Sequence, residues 1–306
     1  MKILLTGGAG YVGTELARLL VARDEVEKVL IYDNLSRANY NLFLGAKPTG
    51  YKKIEFVKSD ILDSRSLKKA MKGTDVVYHL AAKVTTPFAH ADQHSYEQVN
   101  HWGTAEVVYA AEESKVKKFI YASSAGVYGS TTNPVDEQTP PNPQTFYAIS
   151  KWRGEEHVRR LLDKMDTYIF RCGNVYGYSK SMRFDAVINK FVFEANFNKR
   201  ITIQGDGRQS RSFIHIDLLA AALSQVLDTT LPGGLYNLME KNLEVIEVVD
   251  QLKQLIPDLE FILLDQHIKL HNLQVKKNDR ANNILGINQS WELKEELSSF
   301  LEKFSF

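Results

Sequence analysis

Tyr147 and Lys151 stand four residues apart in a stretch, from about Thr145 to Leu162, that reads as a helix. They therefore share one helical face. A phenol is a poor base at neutral pH, because its ordinary pKa is about 10. A nearby ammonium favours the phenolate and lowers that value. A tyrosine paired in this way can take the proton from an alcohol while hydride leaves the same carbon. A second group must hold the alcohol oxygen. Ser123 and Ser124, which end the apolar run Phe119-Ile120-Tyr121-Ala122, are placed to supply it.

This chemistry needs a hydride acceptor, and the start of the chain has a pattern that can hold one. Ile3-Leu4-Leu5 is an apolar run of buried-strand length. It leads into Thr6-Gly7-Gly8-Ala9-Gly10-Tyr11-Val12-Gly13, after which Leu16, Leu19 and Leu20 recur at helical spacing. Gly8, Gly10 and Gly13 fit Gly-x-Gly-x-x-Gly, while Gly7, Gly10 and Gly13 fit Gly-x-x-Gly-x-x-Gly. Such glycines make a tight turn, let the backbone touch a pyrophosphate and let helix pack on strand. The helix N-terminus adds free N–H groups and the positive end of its dipole. Lys28 to Tyr32 reads as the second strand. Asp33 ends it, 20 residues after Gly13, the offset of a carboxylate that grips the adenosine ribose. A carboxylate there repels a 2′-phosphate, which favours NAD over NADP. Arg37, close by, weighs the other way.

The remaining elements alternate. Ile54–Val57 reads as a third strand, followed by a helix from Ser64, its N-cap, to Met71, ended by Gly73. Val76–Leu80 is a fourth strand, about Asp92–Ser114 a long helix, Phe119–Ala122 the fifth strand and Tyr168–Phe170 the sixth. The pattern implies an α/β protein with a Rossmann-type, doubly wound parallel sheet whose ligands bind at the C-terminal strand ends. After Gly177 the rhythm changes. A helix near Phe184–Asn198, short strands around Ile201 and Ile203, and a last amphipathic helix with Leu293, Leu297, Phe300 and Leu301 read as a smaller C-terminal lobe. Residues 1–177, with contributions from about 211–239, are expected to form the cofactor domain, and 178–306 mainly the substrate-binding lobe.

The 306 residues are 44% hydrophobic, enough for a sizeable core, and 38 basic residues nearly balance 37 acidic ones. No basic block points to nucleic acid. The single cysteine, Cys172, excludes an internal disulfide, suits a cytoplasmic location and reads as a small buried apolar residue. The apolar start is too short for a signal peptide. No run approaches membrane-span length.

Taken together, these motifs resemble the extended short-chain dehydrogenase/reductases of the nucleotide-sugar epimerase/dehydratase group. The resemblance covers most of the chain. It implies NAD held by Gly7, Gly10, Tyr11, Val12, Gly13, Asp33, Asn34, Asp60, Ile61, Leu80, Ala81, Ala82, Lys83, Asn100, Ser123, Tyr147 and Lys151. It makes Ser124, Tyr147 and Lys151 catalytic. Thr85, Thr86, Ser124, Tyr147, Asn174 and Arg211 would meet a nucleotide-sugar substrate, with Arg211 on its diphosphate. Two departures stand out: Leu218 where the family has Asp, and His267, Lys269 and His271 where it has an arginine. His90, His94 and His101 are read as surface or capping residues, since the family uses no metal.

The residues after the serine separate the family's reactions. Its 4,6-dehydratases carry an acidic pair there that moves protons. Ala125 and Gly126 can move none, which resembles the UDP-glucose 4-epimerases. The expected reaction is epimerisation at C4 through a 4-keto sugar. Net oxidation or reduction at C4, and a non-catalytic cofactor-binding scaffold, are the competing readings. The family also implies a homodimer paired through the long helix and the helix of Tyr147.

Overall fold

The computed structural model describes residues 1–44, 47–84, 92–264, 272–288 and 291–304. β1 (Lys2–Thr6) turns into α1 (Tyr11–Val21). β2 (Lys28–Asp33), β3 (Ile54–Lys58), α2 (Ser64–Met71) and β4 (Val76–His79) follow. Next comes a continuous helical stretch: α3 (Gln93–Tyr96), a π-turn (Glu97–Trp102) and α4 (Gly103–Glu113). The first half closes with β5 (Lys118–Ser124), α5 (Phe146–Arg159) and β6 (Asp166–Cys172). The second half holds β7 (Asn174–Tyr176), α6 (Val187–Asn198), β8 (Arg200–Gln204), β9 (Ser210–His215), α7 (Ile216–Gln225) and β10 (Gly234–Leu238). It ends with β11 (Lys241–Glu244), α8 (Val245–Leu255), β12 (Glu260–Leu264), α9 (Asp279–Ile284) and α10 (Leu293–Glu302).

Seven parallel strands make the main sheet, in the order β10-β6-β5-β4-β1-β2-β3. This is a Rossmann-type fold. A parallel sheet covered on both faces needs strands that are apolar throughout, and Ile3, Leu4 and Leu5 are all buried. Helices α1 and α7 cover one face with Leu16, Leu20, Leu219 and Leu223. Helices α2, α4 and α5 cover the other with Leu67, Met71, Val107, Val108 and Val158. The strand order reverses between β1 and β4, which opens a crevice at their C-terminal ends. The seventh strand, Gly234–Leu238, pairs with β6. It begins in a glycine pair and carries little apolar signal of its own.

A separate core joins α6, α8 and α10 to β8 through Phe191, Val192, Ile201, Val249, Leu252 and Phe300. Among the described residues β8 pairs with β12 alone, and β9 joins β7 to β11. The cap of α2 differs by one residue from expectation. Asp63 is the N-cap and accepts the Ser66 N–H, while Ser64 begins the helix. A carboxylate is as good an N-cap as a hydroxyl, so chain geometry decides. Thr145 caps α5 by accepting the Ala148 N–H.

Helix α5 lies close against the π-turn because Gly154 has no side chain. A Cβ there would stand 2.4 Å from the Tyr121 hydroxyl and 2.8 Å from the Asn100 carbonyl oxygen. Alanine is intrinsically the better helix former. Gly154→Ala is nevertheless expected to lower stability by about 1–3 kcal/mol, the usual cost of overpacking. Denaturant unfolding measures this, and a stabilised variant would show that the contact has slack.

Candidate active site

A single cleft of about 1680 Å³ runs along the C-terminal edge of the main sheet. At one end is the β1–α1 turn. Gly7 takes a left-handed φ of +73°, and a Cβ on it would come within 2.6 Å of the Ala81 backbone nitrogen. Gly10 is the N-cap of α1 and donates its N–H to the Gly7 carbonyl. A Cβ on Gly13 would lie 2.5 Å from that same carbonyl oxygen. Gly8 faces inward against Ile31 and Leu5. The cleft-lining set is therefore Gly7, Gly10 and Gly13, so the second glycine spacing is the one that shapes the wall. Tyr11 and Val12 also line it. The Tyr11 hydroxyl donates to the Gly177 carbonyl, tying α1 to the second half.

Asp33 lines the cleft beside this turn. Its carboxylate accepts N–H groups from Ala9 and Leu35 at 3.1 and 2.8 Å. Burial nonetheless raises its pKa, and those two bonds offset part of the rise. Asn34 donates to Asp60, and Asp60 also accepts the Leu62 N–H. Arg37 is turned toward Asp185, 3.4 Å away, which occupies the cation that stood against an NAD preference. A helix N-terminus framed by glycines, next to an acceptor at the end of β2, fits a dinucleotide.

Along the middle wall lie Ile61, Leu80, Ala81, Ala82 and Lys83. Asn100 does not line the cleft. It is 1% exposed, and its amide is spent on the Lys83 N–H and carbonyl and on Ser150. It shapes the wall from behind, which differs from a direct contact with cofactor. Lys83 is paired with Asp92.

Ser124, Tyr147 and Lys151 all face the cleft, as does Ser123. Ser123 is largely committed elsewhere: it donates to Glu155 at 2.5 Å, and Glu155 is bidentate with buried Arg171. Ser124 accepts the Gly126 N–H at 3.1 Å and keeps its hydroxyl hydrogen for another partner. The Tyr147 phenol is pushed above its ordinary value by burial, and Arg183 and Ser124 pull it back in part. The Lys151 ammonium sits over the Tyr121 ring, 4.1 Å from its centroid. Burial drops its pKa to about 7, with Cys172 and Glu155 offsetting some of the loss. Cys172 is buried, and its thiol is pushed up to about 12 by that burial. It is no nucleophile at neutral pH.

At the far end Asn174 and Arg211 line the cleft. Asn174 donates to the Ser212 carbonyl. Buried Nε of Arg211 has no hydrogen-bond partner, and burial lowers its pKa. Sequence reasoning missed Arg183 and Asp185, a paired arginine and aspartate that also line this end. No local motif surrounds them; only proximity to Tyr147 distinguishes Arg183. Leu218, at the first departure, packs at the edge of the main core. Thr85, Thr86, His90, His267, Lys269 and His271 lie outside the described residues. His94 is exposed, and His101 bonds Glu97 and stacks against both Trp102 and His157.

These features place the chain in a class of proteins that bind a dinucleotide and carry a Tyr–Lys–Ser set in the same cleft. Residues 3–238 match the model of the NAD dependent epimerase/dehydratase family, and the chain belongs to that family. Among curated relatives, dTDP-D-glucose 4,6-dehydratase of Homo sapiens is 31% identical over 293 residues, covering 92% of this chain and 80% of that protein. The putative UDP-glucose 4-epimerase of Methanocaldococcus jannaschii is 34% identical over 226 residues, covering 72% of this chain and 71% of that one. Among solved structures, UDP-glucuronic acid 4-epimerase from Bacillus cereus, in complex with UDP-glucuronic acid and NAD, superposes with a TM-score of 0.85 at 26% identity. It covers 99% of this chain and 98% of that one.

Burial of Lys151 has a consequence for stability. An unfolded lysine holds its proton up to about pH 10.4, but in the folded chain it is lost near about 7. Between those values the unfolded state binds more protons, so stability rises with pH. Lys151→Met removes this penalty. The cofactor-free variant should be more stable than wild type at about pH 6.5, with the advantage shrinking toward about pH 10. Paired thermal melts across that range measure it; a constant difference would mean Lys151 keeps an ordinary pKa.

Proposed function

We propose that the protein is an NAD-dependent epimerase of a nucleotide-diphosphate sugar, acting at C4. The observation that carries this reading is the company Tyr147 keeps. Ser124, Lys151 and Arg211 share its cleft, while the described carboxylates lining that cleft, Asp33, Asp60 and Asp185, are all engaged. Asp185 pairs with Arg183 and Arg37, and the two others sit at the ribose end.

In this reading residues 1–177, with parts of 211–239, hold the cofactor, and 178–306 mainly the sugar nucleotide. The glycine turn takes the pyrophosphate, and Asp33 the ribose hydroxyls. Bound NAD supplies the hydride acceptor and donor. Arg211 meets the substrate diphosphate; a guanidinium with a buried, unpartnered Nε and no acid partner among the described residues gains most from a bound anion. Ser124 holds the C4 hydroxyl, Tyr147 takes its proton, and Lys151 lends charge beside the phenolate. The cleft leaves room for a 4-keto sugar to turn its other face before the proton is returned. Elimination of water would need an acid and a base beside the sugar. Ala125 is buried and Gly126 has no side chain, so neither can serve.

Incubation with NAD and a panel of UDP-, GDP-, CDP- and dTDP-sugars, followed by NMR, tests the proposal. One pair of C4 epimers should interconvert without accumulation of NADH. A 4-keto-6-deoxy product would establish dehydration instead, and stoichiometric NADH a net oxidation. Tyr147→Phe should cost about 10²–10⁴-fold in kcat. Arg211→Gln should act chiefly on KM, by about tenfold or more. Unchanged turnover in Tyr147→Phe would sink the mechanism.

The same reading makes the protein a cytoplasmic homodimer. Trp102 and Tyr109 are exposed, at 57% and 41%, on the helix expected to pair. Sedimentation should give twice the 34.8 kDa chain mass, and Trp102→Glu should shift it to monomer. A wild-type monomer at micromolar concentration would exclude the dimer.

A further inference from the structure

Behind the cleft wall two side chains pack on the ring of a third, Tyr121. The Lys151 ammonium lies over the face of Tyr121, 4.1 Å from the ring centroid. His79 lies stacked against the same ring, at 5.4 Å and 26° between planes. Tyr121 and His79 are fully buried, and Lys151 is 2% exposed. Hydrogen bonds tether this cluster. Tyr121 donates its hydroxyl to the Lys151 carbonyl at 3.3 Å. Thr6 holds His79 Nδ1 at 2.8 Å, and Thr104 holds Nε2 at 2.9 Å. Thr104 is itself fixed to the Asn100 carbonyl. Gly154 leaves no gap beneath the Tyr121 hydroxyl.

We propose that Tyr121 is a positioning residue for Lys151: its ring face seats the ammonium, and His79, stacked on the same ring, helps hold that ring in place. This rests on the reading of Lys151 as the lysine partner of Tyr147. An aromatic face attracts a cation through its quadrupole, most strongly where water is excluded. The seat therefore fixes where the charge sits and makes it less costly to keep. His79 is suited to this place because it carries no charge: burial, and then Lys151, hold its pKa well below the usual histidine range. The other groups facing the ammonium are Cys172 from β6 and Glu155 one turn along α5. Glu155 is shared with Arg171 and Ser123, so it is only a partial counter-charge. The aromatic ring is left as the nearest stabilising surface on β5.

The test reads the lysine directly and needs no substrate. In full-length protein labelled with ¹³Cε-lysine, Lys151→Met identifies the Lys151 signal, whose shift is followed with pH. Tyr121→Phe keeps the aromatic face and should leave the midpoint within about 0.3 units of wild type. Tyr121→Leu removes the face and should lower the midpoint by about one unit, the size expected for a desolvated cation–π contact. Fluorinated phenylalanines at position 121 keep the volume while weakening the quadrupole, so they serve if the leucine variant does not fold. Their midpoints should fall stepwise with fluorine number. Where turnover is measurable, the alkaline limb of kcat/KM should move with the same midpoints. Equal midpoints for phenylalanine, leucine and fluorinated rings would overturn the proposal. The expected shifts without turnover on any nucleotide sugar would instead refute the catalytic reading and leave the seat intact.

Discussion

A lysine ammonium sits almost wholly out of water in the cleft wall, and much of the surrounding structure answers that one cost. Desolvating a cation is unfavourable by several kcal/mol unless nearby groups compensate. Here compensation is distributed. The Tyr121 face lies under the charge, and Glu155 is one turn away but shared with Arg171. The result is a lysine balanced near neutrality. A fully paired lysine would be inert, while one so poised responds to whatever charge enters the cleft. The rigidity of the parallel sheet makes this balance possible, because the residues concerned come from β4, β5 and α5, elements locked by continuous apolar packing.

The opposite end of the cleft shows a different solution. Arg183 is neutralised by Asp185, which also receives Arg37, whereas Nε of Arg211 is left without an acceptor. An arginine that already has its carboxylate contributes shape and local field; one that lacks it is primed for an anion. The cleft thus separates its charges by task. Asp33 stands beside the glycine turn at one end, Arg211 with its unpartnered Nε at the other, and the Tyr147 phenol lies within the field of Arg183.

Much of this was legible in the chain. The glycines, Asp33, the serine pair and the Tyr–Lys spacing are local signals, since each depends on residues close in sequence. The strand–helix alternation followed from periodicity, because parallel strands buried on both faces must be apolar throughout. What could not be read depends on distant packing. β10 is marked by neither length nor composition, only by its place beside β6. Which glycine triplet lines the cleft was undecided until Ile31 was seen to occupy the Gly8 side. The seat of Lys151 is of the same kind: helical spacing shows that Tyr147 and Lys151 share a face, but not that Tyr121, thirty residues earlier, lies under the ammonium. Arg183 and Asp185 belong to no pattern at all.

The distinction between epimerisation and dehydration then turns on what the cleft leaves out. Relatives with both kinds of name align over most of the chain, so overall similarity does not choose between them. Both reactions can begin with the same step, removal of a proton from an alcohol, the role proposed for Tyr147 with Ser124. They diverge afterwards, when a leaving hydroxyl must be protonated and a neighbouring carbon deprotonated. General acid–base groups for that second stage have to lie within hydrogen-bond reach of the sugar. The 3₁₀ turn after Ser124 is where such groups would be most directly placed. Here it presents a buried methyl at Ala125 and a backbone N–H, from Gly126, already given to Ser124. Under the proposed function, a 4-keto sugar in this cleft would meet no carboxylate among the described residues that is free to drive elimination, which favours its reduction back to the alcohol on one face or the other.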